Sequence, residues 1–302
     1  MDLKQLKYFQ AVAQAGSYTR AADTLGVAQP VLSRQIRQLE TGLRRSLLTR
    51  HGRGVSLTES GRILLEHCRI ISNQLDLMHE DLSVSSGKLS GRIALGLPPT
   101  QAKLLSLPLL KAFRSRLPEA QLRITEGLSE QLQERLRQGK IDMALLYNPA
   151  HAADTETQLL YEERLYLMAP HNDKLLKNEN SISAEHLAAL PLIMPSVPNT
   201  FRLLVEQEMA AYSLRPNIVL EIDSVETMLK LVAEGMGYSI MSKYSIELLN
   251  RQDQIRVIPI SEPAFVSRLF LATSGKHTLT RTQRETAKLL QELCVDLVGR
   301  KT

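Results

Sequence analysis

Residues 28–40 read AQPVLSRQIRQLE. Leu32, Ile36, Leu39 and then Leu43 recur at steps of four, three and four, which is one apolar face of a helix. Gln29, Ser33 and Arg37, with Pro30 and Arg34 beside them, form a second face rich in hydrogen-bonding groups. A helix built this way sits on a small domain by its back and offers its front to a polar partner. Pro30 fits the first turn, where its missing N–H breaks no intrahelical bond.

The flanking sequence supplies companions for this helix. Residues 3–15 read as a helix with Leu6, Phe9, Val12 and Ala13 on one side, ended by Gly16. Ser17 can cap a second helix, about 18–25, in which Ala21 and Ala22 allow close approach, and Gly26 punctuates again. Three short helices with a glycine turn before the third predict a helix-turn-helix over about 18–37. SLLTRHGRGVSLTES, residues 46–60, then reads as two short extended pieces around a basic, glycine-rich tip, a small wing.

Charge points the same way. Residues 1–58 carry nine Lys/Arg against three acids, whereas the rest of the chain carries 28 against 29, so the net charge of +5 resides in the first fifth. A basic segment on a nearly neutral body is the footprint of a polyanion partner. Gln can bond adenine and Arg guanine in a bidentate way, and Arg53 at the wing tip is placed for a phosphate or the minor groove.

Residues 59–86 carry Leu64, Cys68, Ile71, Leu75, Met78 and Leu82 at 4-3-4-3-4 spacing, an a/d seam of nearly three heptads. The seam needs a partner, either the rest of the chain or, as the polar flanks favour, the same helix of a second copy. SVSSGKLSG, residues 83–91, reads as a hinge. From residue 91 strands and helices alternate, predicting α/β architecture. Two segments, from Glu126 and from Glu221, share an extended piece, a Ser three residues on and a Gly after the helix. Ser129 and Ser224 stand where N-caps belong, Gly139 and Gly235 where C′ glycines belong. The repeat fits either ordinary capping or two similar lobes facing a cleft.

Other classes find little support. With 43% hydrophobic and 23% charged residues the composition is that of an ordinary globular chain, and no apolar run reaches the roughly 18 residues of a membrane span. MDLKQLKYFQ has no apolar signal region, and Cys68 and Cys294 read as separate buried thiols, which suits a reducing cytoplasm. Phosphate-loop, dinucleotide, G-x-S-x-G and H-E-x-x-H motifs are absent, and the seven histidines form no i,i+3 or i,i+4 pair. No catalytic, metal or cofactor site is expected. A solute-binding protein and an α/β enzyme with an accessory DNA-binding domain remain as alternatives, disfavoured by the N-terminus and by the missing motifs.

GSYTRAADTLGVAQPVLSRQIRQLE followed by LLTRHGRGVSLTESG resembles the winged helix-turn-helix of the LysR-type transcriptional regulators. GRIALGLPPT, RLPEAQLRITEG and GKIDMALLY resemble the start of that family's effector domain, and AQPVLS with the series GLPPT, EGLS and DMALLYNP is most similar to its nitrogen assimilation control subgroup. The resemblance implies an α/β fold with an all-α, winged N-terminal domain: a DNA-binding domain over 1–58, a dimerisation helix and hinge over 59–90, and a two-lobed, periplasmic-binding-protein-like effector domain over 91–302. Lobe I would hold 91–162 and 268–302, lobe II 163–267. It implies operator DNA as partner, a small effector between the lobes, dimers paired into a homotetramer, and RNA polymerase as a further partner. By matched position Gln29, Pro30, Ser33 and Arg34 would meet the major groove and Arg53 its flank, with Ser17, Thr19, Arg20 and Arg37 near phosphates.

The sequence departs from the family pattern at Ala28, where a capping Ser is common, at Tyr18 for the usual Phe, and at Pro98-Pro99 in the effector-contact turn. Three helix starts are expected to face the cleft: Thr100, Ser129, and Asn199 or Thr200. Open N–H groups at helix starts favour anions. A small carboxylate or similar acid is therefore expected, contacted by Pro99, Thr100, Gln101, Ser129, Ser196 and Phe201. Plain capping with no ligand is the alternative.

Overall fold

The computed structural model describes residues 1–52, 54–82, 89–249, 252–275 and 278–299. It divides into two compact units, Met1–Gly87 and Lys88–Thr302. Arg53 and most of the expected hinge lie outside the described residues.

The first unit opens with α1 (Leu3–Ala15), α2 (Tyr18–Leu25) and α3 (Gln29–Leu43). Each boundary has a local cause. Asp2 and Gln5 form a reciprocal capping box on α1, and Ser17 Oγ accepts from Arg20 N–H to cap α2. Gly16 and Gly26 end these helices in the left-handed region. Phe9, Val12, Leu32 and Ile36 are wholly buried, so α3 is seated by the face its spacing predicted. β1 (Leu48–His51) and β2 (Gly54–Leu57) form the antiparallel wing. Glu40 fixes its start by accepting N–H groups from Leu47 at 2.8 Å and Leu48 at 3.2 Å. Two glycines are steric requirements here. A Cβ at Gly54 would stand 2.5 Å from the Gly16 carbonyl oxygen, and one at Gly61 2.0 Å from that of Leu47.

α4 (Glu59–Leu82) follows. The heptad seam does not act as one surface. Leu64, Cys68 and Ile71 pack into the unit's own core with Leu6, Phe9, Leu39 and Leu47. Leu75 is half-buried, and Met78 and Leu82 are 46% and 73% exposed. The first half of the seam is taken because α1 and α3 leave an apolar gap beside it. Ile63 and Ile70, one heptad apart on another side of α4, are exposed.

The second unit is built on one long mixed sheet, ordered β4 (Glu119–Glu126), β3 (Ser90–Leu97), β5 (Met143–Tyr147), β12 (Val266–Ser274), β6 (Thr155–Pro170), β11 (Ile255–Ser261), β7 (Ile182–Ser183), with β10 (Ser239–Ser242) also on β6. β3 starts at Ser90, inside the segment expected to be hinge. β6 joins two lobes: Arg164 pairs with Val266 of β12, whereas Leu165 already pairs with Ser242 of β10.

In the first lobe α5 (Pro99–Arg116) and α10 (Arg281–Gly299) cover one sheet face and α6 (Ser129–Arg137) the other. Met143, Leu145 and Tyr147 of β5 therefore face one layer while Ala144 and Leu146 face the other, which explains an unbroken apolar strand. In the second lobe α7 (Ala184–Ala189) and α8 (Thr200–Ala210) pack opposite α9 (Val225–Ala233). β8 (Leu192–Met194) and β9 (Ile218–Glu221) pair in parallel beside them. The helix starts of both lobes converge on a cleft.

Candidate functional site

The outer face of α3 is as the sequence requires. Pro30, Arg34 and Arg37 are exposed and Gln29 and Ser33 half-buried, opposite the buried Leu32, Ile36 and Leu39. Thr19 and Arg20 are exposed on α2. Ser17 is half-buried, its oxygen committed to the α2 cap at 3.4 Å. No side chain caps α3 at Ala28. Pro30 has no N–H, and Val31 N–H turns back to the Ala28 carbonyl at 3.0 Å.

Arg50, a residue that sequence reasoning did not place in the interface, ties the wing to the helices. Its Nη2 donates to Ser33 Oγ at 3.0 Å, and its guanidinium lies 4.7 Å from the centre of the Tyr18 ring. Arg is held on an aromatic face by the ring quadrupole. The Tyr at position 18 therefore keeps an apolar plane for Arg50, while Ser33 presents its hydroxyl oxygen to the wing as well as its edge to the outside.

The cleft of the second unit encloses about 600 Å³ of atom-free space, its open mouth included. Its lining takes Pro98, Pro99 and Thr100 from the α5 start, Leu128 and Ser129 from the α6 start, and Tyr147 from the end of β5. From the second lobe come Pro195, Asn199, Thr200 and Phe201, then Asp223, Val225 and Met228, and finally Ile240, Met241, Ser242 and Ser245. Of the expected contacts, Pro99, Thr100, Ser129 and Phe201 line this space.

Gln101 and Ser196 do not line the cleft. Gln101 is wholly buried and donates to Tyr147 Oη at 2.5 Å and Tyr161 Oη at 3.3 Å. Successive helical residues lie about 100° apart, so when Thr100 faces the cleft Gln101 must face the core. Ser196 instead donates its N–H to Asp223 Oδ1 at 3.0 Å. Two expected helix starts are also displaced. α5 begins at Pro99 with Pro98 as N-cap, and Thr100 Oγ1 stands 3.5 Å from Ser245 Oγ. The N-cap of α6 is Leu128; Ser129 is its first helical residue and accepts Tyr147 N–H at 2.9 Å, which locks α6 to the end of β5. Ser224 does cap α9, accepting from Thr227 N–H at 3.3 Å.

The α8 start is closed. Asn199 Oδ1 accepts from Phe201 N–H at 2.9 Å and Arg202 N–H at 3.3 Å, and Glu130 Oε1 of α6 accepts from Thr200 N–H. The cleft lining contains no Lys or Arg among the described residues; its one charged side chain is Asp223. The α8 start therefore offers an anion no open N–H group, whereas α5 and α6, with Pro98 and Leu128 as N-caps, begin without a side-chain cap. Behind the lining, Ser242 Oγ donates to Glu163 Oε2 at 2.5 Å. Burial pushes the Glu163 carboxyl above the usual carboxylate range, against the Ser242 hydrogen bond, which lowers it. Burial also pushes the Tyr147 phenol up, reinforced by Glu163. The Tyr147 and Phe201 rings meet across the lobes at 4.7 Å.

Comparison with known proteins agrees with this layout. Residues 3–62 match the family described as bacterial regulatory helix-turn-helix protein, lysR family, and residues 86–295 match the LysR substrate binding domain. The chain is 31% identical to the nitrogen assimilation regulatory protein nac of Klebsiella aerogenes, over 99% of this chain and 96% of that one. It is 33% identical to the protein of the same name from Escherichia coli, over 80% and 78%. A full-length OxyR variant from Pseudomonas aeruginosa shares the fold at a TM-score of 0.79, with 24% identity, 97% of this chain and 94% of that one covered. Full-length CbnR in complex with its target DNA shares it at 0.63, with 23% identity, 97% and 100% covered. The chain belongs to the LysR family of bacterial transcriptional regulators, with a helix-turn-helix that binds DNA and a second domain that binds small-molecule effectors.

Proposed function

We propose that α3 reads operator DNA in the major groove through Gln29, Pro30, Ser33 and Arg34, while Thr19, Arg20, Arg37 and Arg50 hold the phosphate backbone. The observation that carries this reading is the division of α3 itself. Three residues at helical spacing are buried, and Arg34, Arg37 and Gln38 between them are exposed, on the segment 1–58 that holds nine Lys/Arg against three acids. Arg53, at the wing tip, belongs to the same proposal from sequence. The regulator acts as a homodimer joined along α4, with the exposed Ile63, Ile70, Met78 and Leu82 as the residues a second copy would cover. Leu75 joins them, whereas Leu64, Cys68 and Ile71 serve the protomer's own core. Two dimers form the tetramer, and RNA polymerase is the partner through which DNA binding alters transcription.

The small effector sits in the cleft against Pro99, Thr100, Ser129 and Phe201. No reaction is assigned to the cleft, and the protein works in the cytoplasm as a regulator without enzymatic activity. No described helix is long and apolar enough to cross a membrane. Selection of bound sequences from a random DNA pool tests the whole reading. The expected outcome is one enriched motif with two half-sites. A pool that remains unenriched while the protein still retains DNA would overturn sequence-specific recognition.

A further inference from the structure

We propose that Glu130 sets the charge preference of the effector cleft: its carboxylate occupies the start of α8 as a built-in anion, so the cleft selects an uncharged or cationic small molecule over an anionic one. The inference rests on reading this cleft as the effector site.

A helix start carries roughly half a positive charge, concentrated on its first N–H groups. An anion is drawn there only when those groups are open. At α8 the first three are taken, one by Glu130 and two by Asn199. The fourth, Leu203 N–H, makes the first helical bond, to the Asn199 carbonyl at 3.0 Å. Glu130 comes from the opposite lobe and stands in the first turn of α6, so a single carboxylate lies at two helix starts at once. Any anion entering at α8 must displace it and break a bond that spans the cleft.

The remaining charges do not invite an anion either. Asp223 lines the cleft and accepts Ser196 N–H. Glu163 lies behind Ser242. The α8 and α9 starts are capped by side chains and the α5 and α6 starts are not, and Glu130 and Asp223 oppose the half-charges of all four before Glu163 is considered. Lys243, whose charge acts on Glu163, is not part of the lining; its Nζ lies over the Tyr244 ring at 5.3 Å. An apolar wall of Leu128, Met228 and Ile240 completes a site suited to a short hydrocarbon with a donor-bearing head.

The test uses the full chain, wild type and Glu130→Gln, with three probes of matched shape: butyrate, butyramide and butylammonium. Each is titrated at constant ionic strength, with saturation-transfer NMR and melting temperature as readouts. Wild type is expected to bind butyramide or butylammonium about tenfold more tightly than butyrate, and Glu130→Gln to gain about tenfold in butyrate affinity. Gln removes the negative charge and leaves only a neutral oxygen beside Thr200 N–H, which a carboxylate displaces more readily than it displaces Glu130. Wild type binding butyrate as well as the other two overturns the proposal. So does Glu130→Gln that fails to bind butyrate. DNA binding measured on the same samples separates the failures: intact DNA binding without charge discrimination removes the role of Glu130 alone, whereas wild type without DNA binding removes the regulator reading.

Discussion

Two helix starts in this molecule look alike in sequence and differ in chemistry. α3 and α8 each follow a proline-containing or turn-forming segment and each begins near a residue expected to meet a ligand. At α3 the N-cap is Ala28, which has no side-chain acceptor to offer. At α8 the N-cap is Asn199, which accepts twice, and a carboxylate from another helix accepts a third N–H. The difference teaches that a helix dipole alone does not define an anion site. What matters is which of its first N–H groups remain unbonded, and that depends on the cap and on what tertiary structure brings to it.

The largest effect expected from breaking this contrast is at the closed end. Asn199→Ala removes the acceptor of two N–H bonds and should destabilise the second unit by about 0.5–2 kcal/mol, towards the top of that range. A urea midpoint that does not fall would show that α8 does not depend on its cap. A smaller change of opposite sign is expected at the open end. Ala28→Ser supplies an acceptor for Val31 N–H and should stabilise the first unit by about 0.5 kcal/mol, because that N–H already reaches a carbonyl. An unchanged or lower melting temperature would mean that the α3 start is satisfied without a cap.

The smallest effect concerns a carboxylate that, unlike Glu130, accepts from a side-chain hydroxyl and not from the N–H groups of a helix start. Burial raises the Glu163 carboxyl, so the folded protein keeps that proton at a pH where the unfolded chain has lost it. Its stabilising contribution is then greatest below the ordinary carboxylate pKa and is lost as the pH rises through the raised value. Glu163→Gln removes this slope. Wild type should lose stability relative to the variant as the pH rises above the ordinary carboxylate range, read as the difference in urea midpoint. Parallel profiles would show that Glu163 titrates normally.

Much of the first unit was legible in sequence because its signals are local. Gly16, Gly26 and Ser17 act within a turn, and the 4-3-4 spacing of α3 is a property of one helix. The α/β alternation was legible for the same reason. The first half of β6 was not, since residues 155–163 are mostly exposed or half-buried and show no clean period. α7 is only six residues long and escaped for want of periods. The heptad seam was read correctly as apolar, yet its partner depends on which gap α1 and α3 leave. Ser129 lines the cleft as expected but is not the N-cap, because a Ser at a helix start reads as a cap whether or not its hydroxyl turns to a strand; Gln101 misses the cleft because neighbours on a helix face different ways. Glu130 at Thr200 and Arg50 at Ser33 join residues 70 and 17 positions apart. No local pattern announces such meetings.

The central claim is that α3 reads DNA, and one measurement tests it most directly. Affinity for DNA from upstream of the gene is followed across a salt series for wild type and Arg34→Ala. Wild type should show a steep fall of log affinity with log salt, the mark of phosphate contacts. Arg34→Ala should bind more weakly by about 1–3 kcal/mol at every salt concentration if Arg34 meets a base edge. Equal binding by wild type and Arg34→Ala would contradict the assignment of α3 as the reading helix.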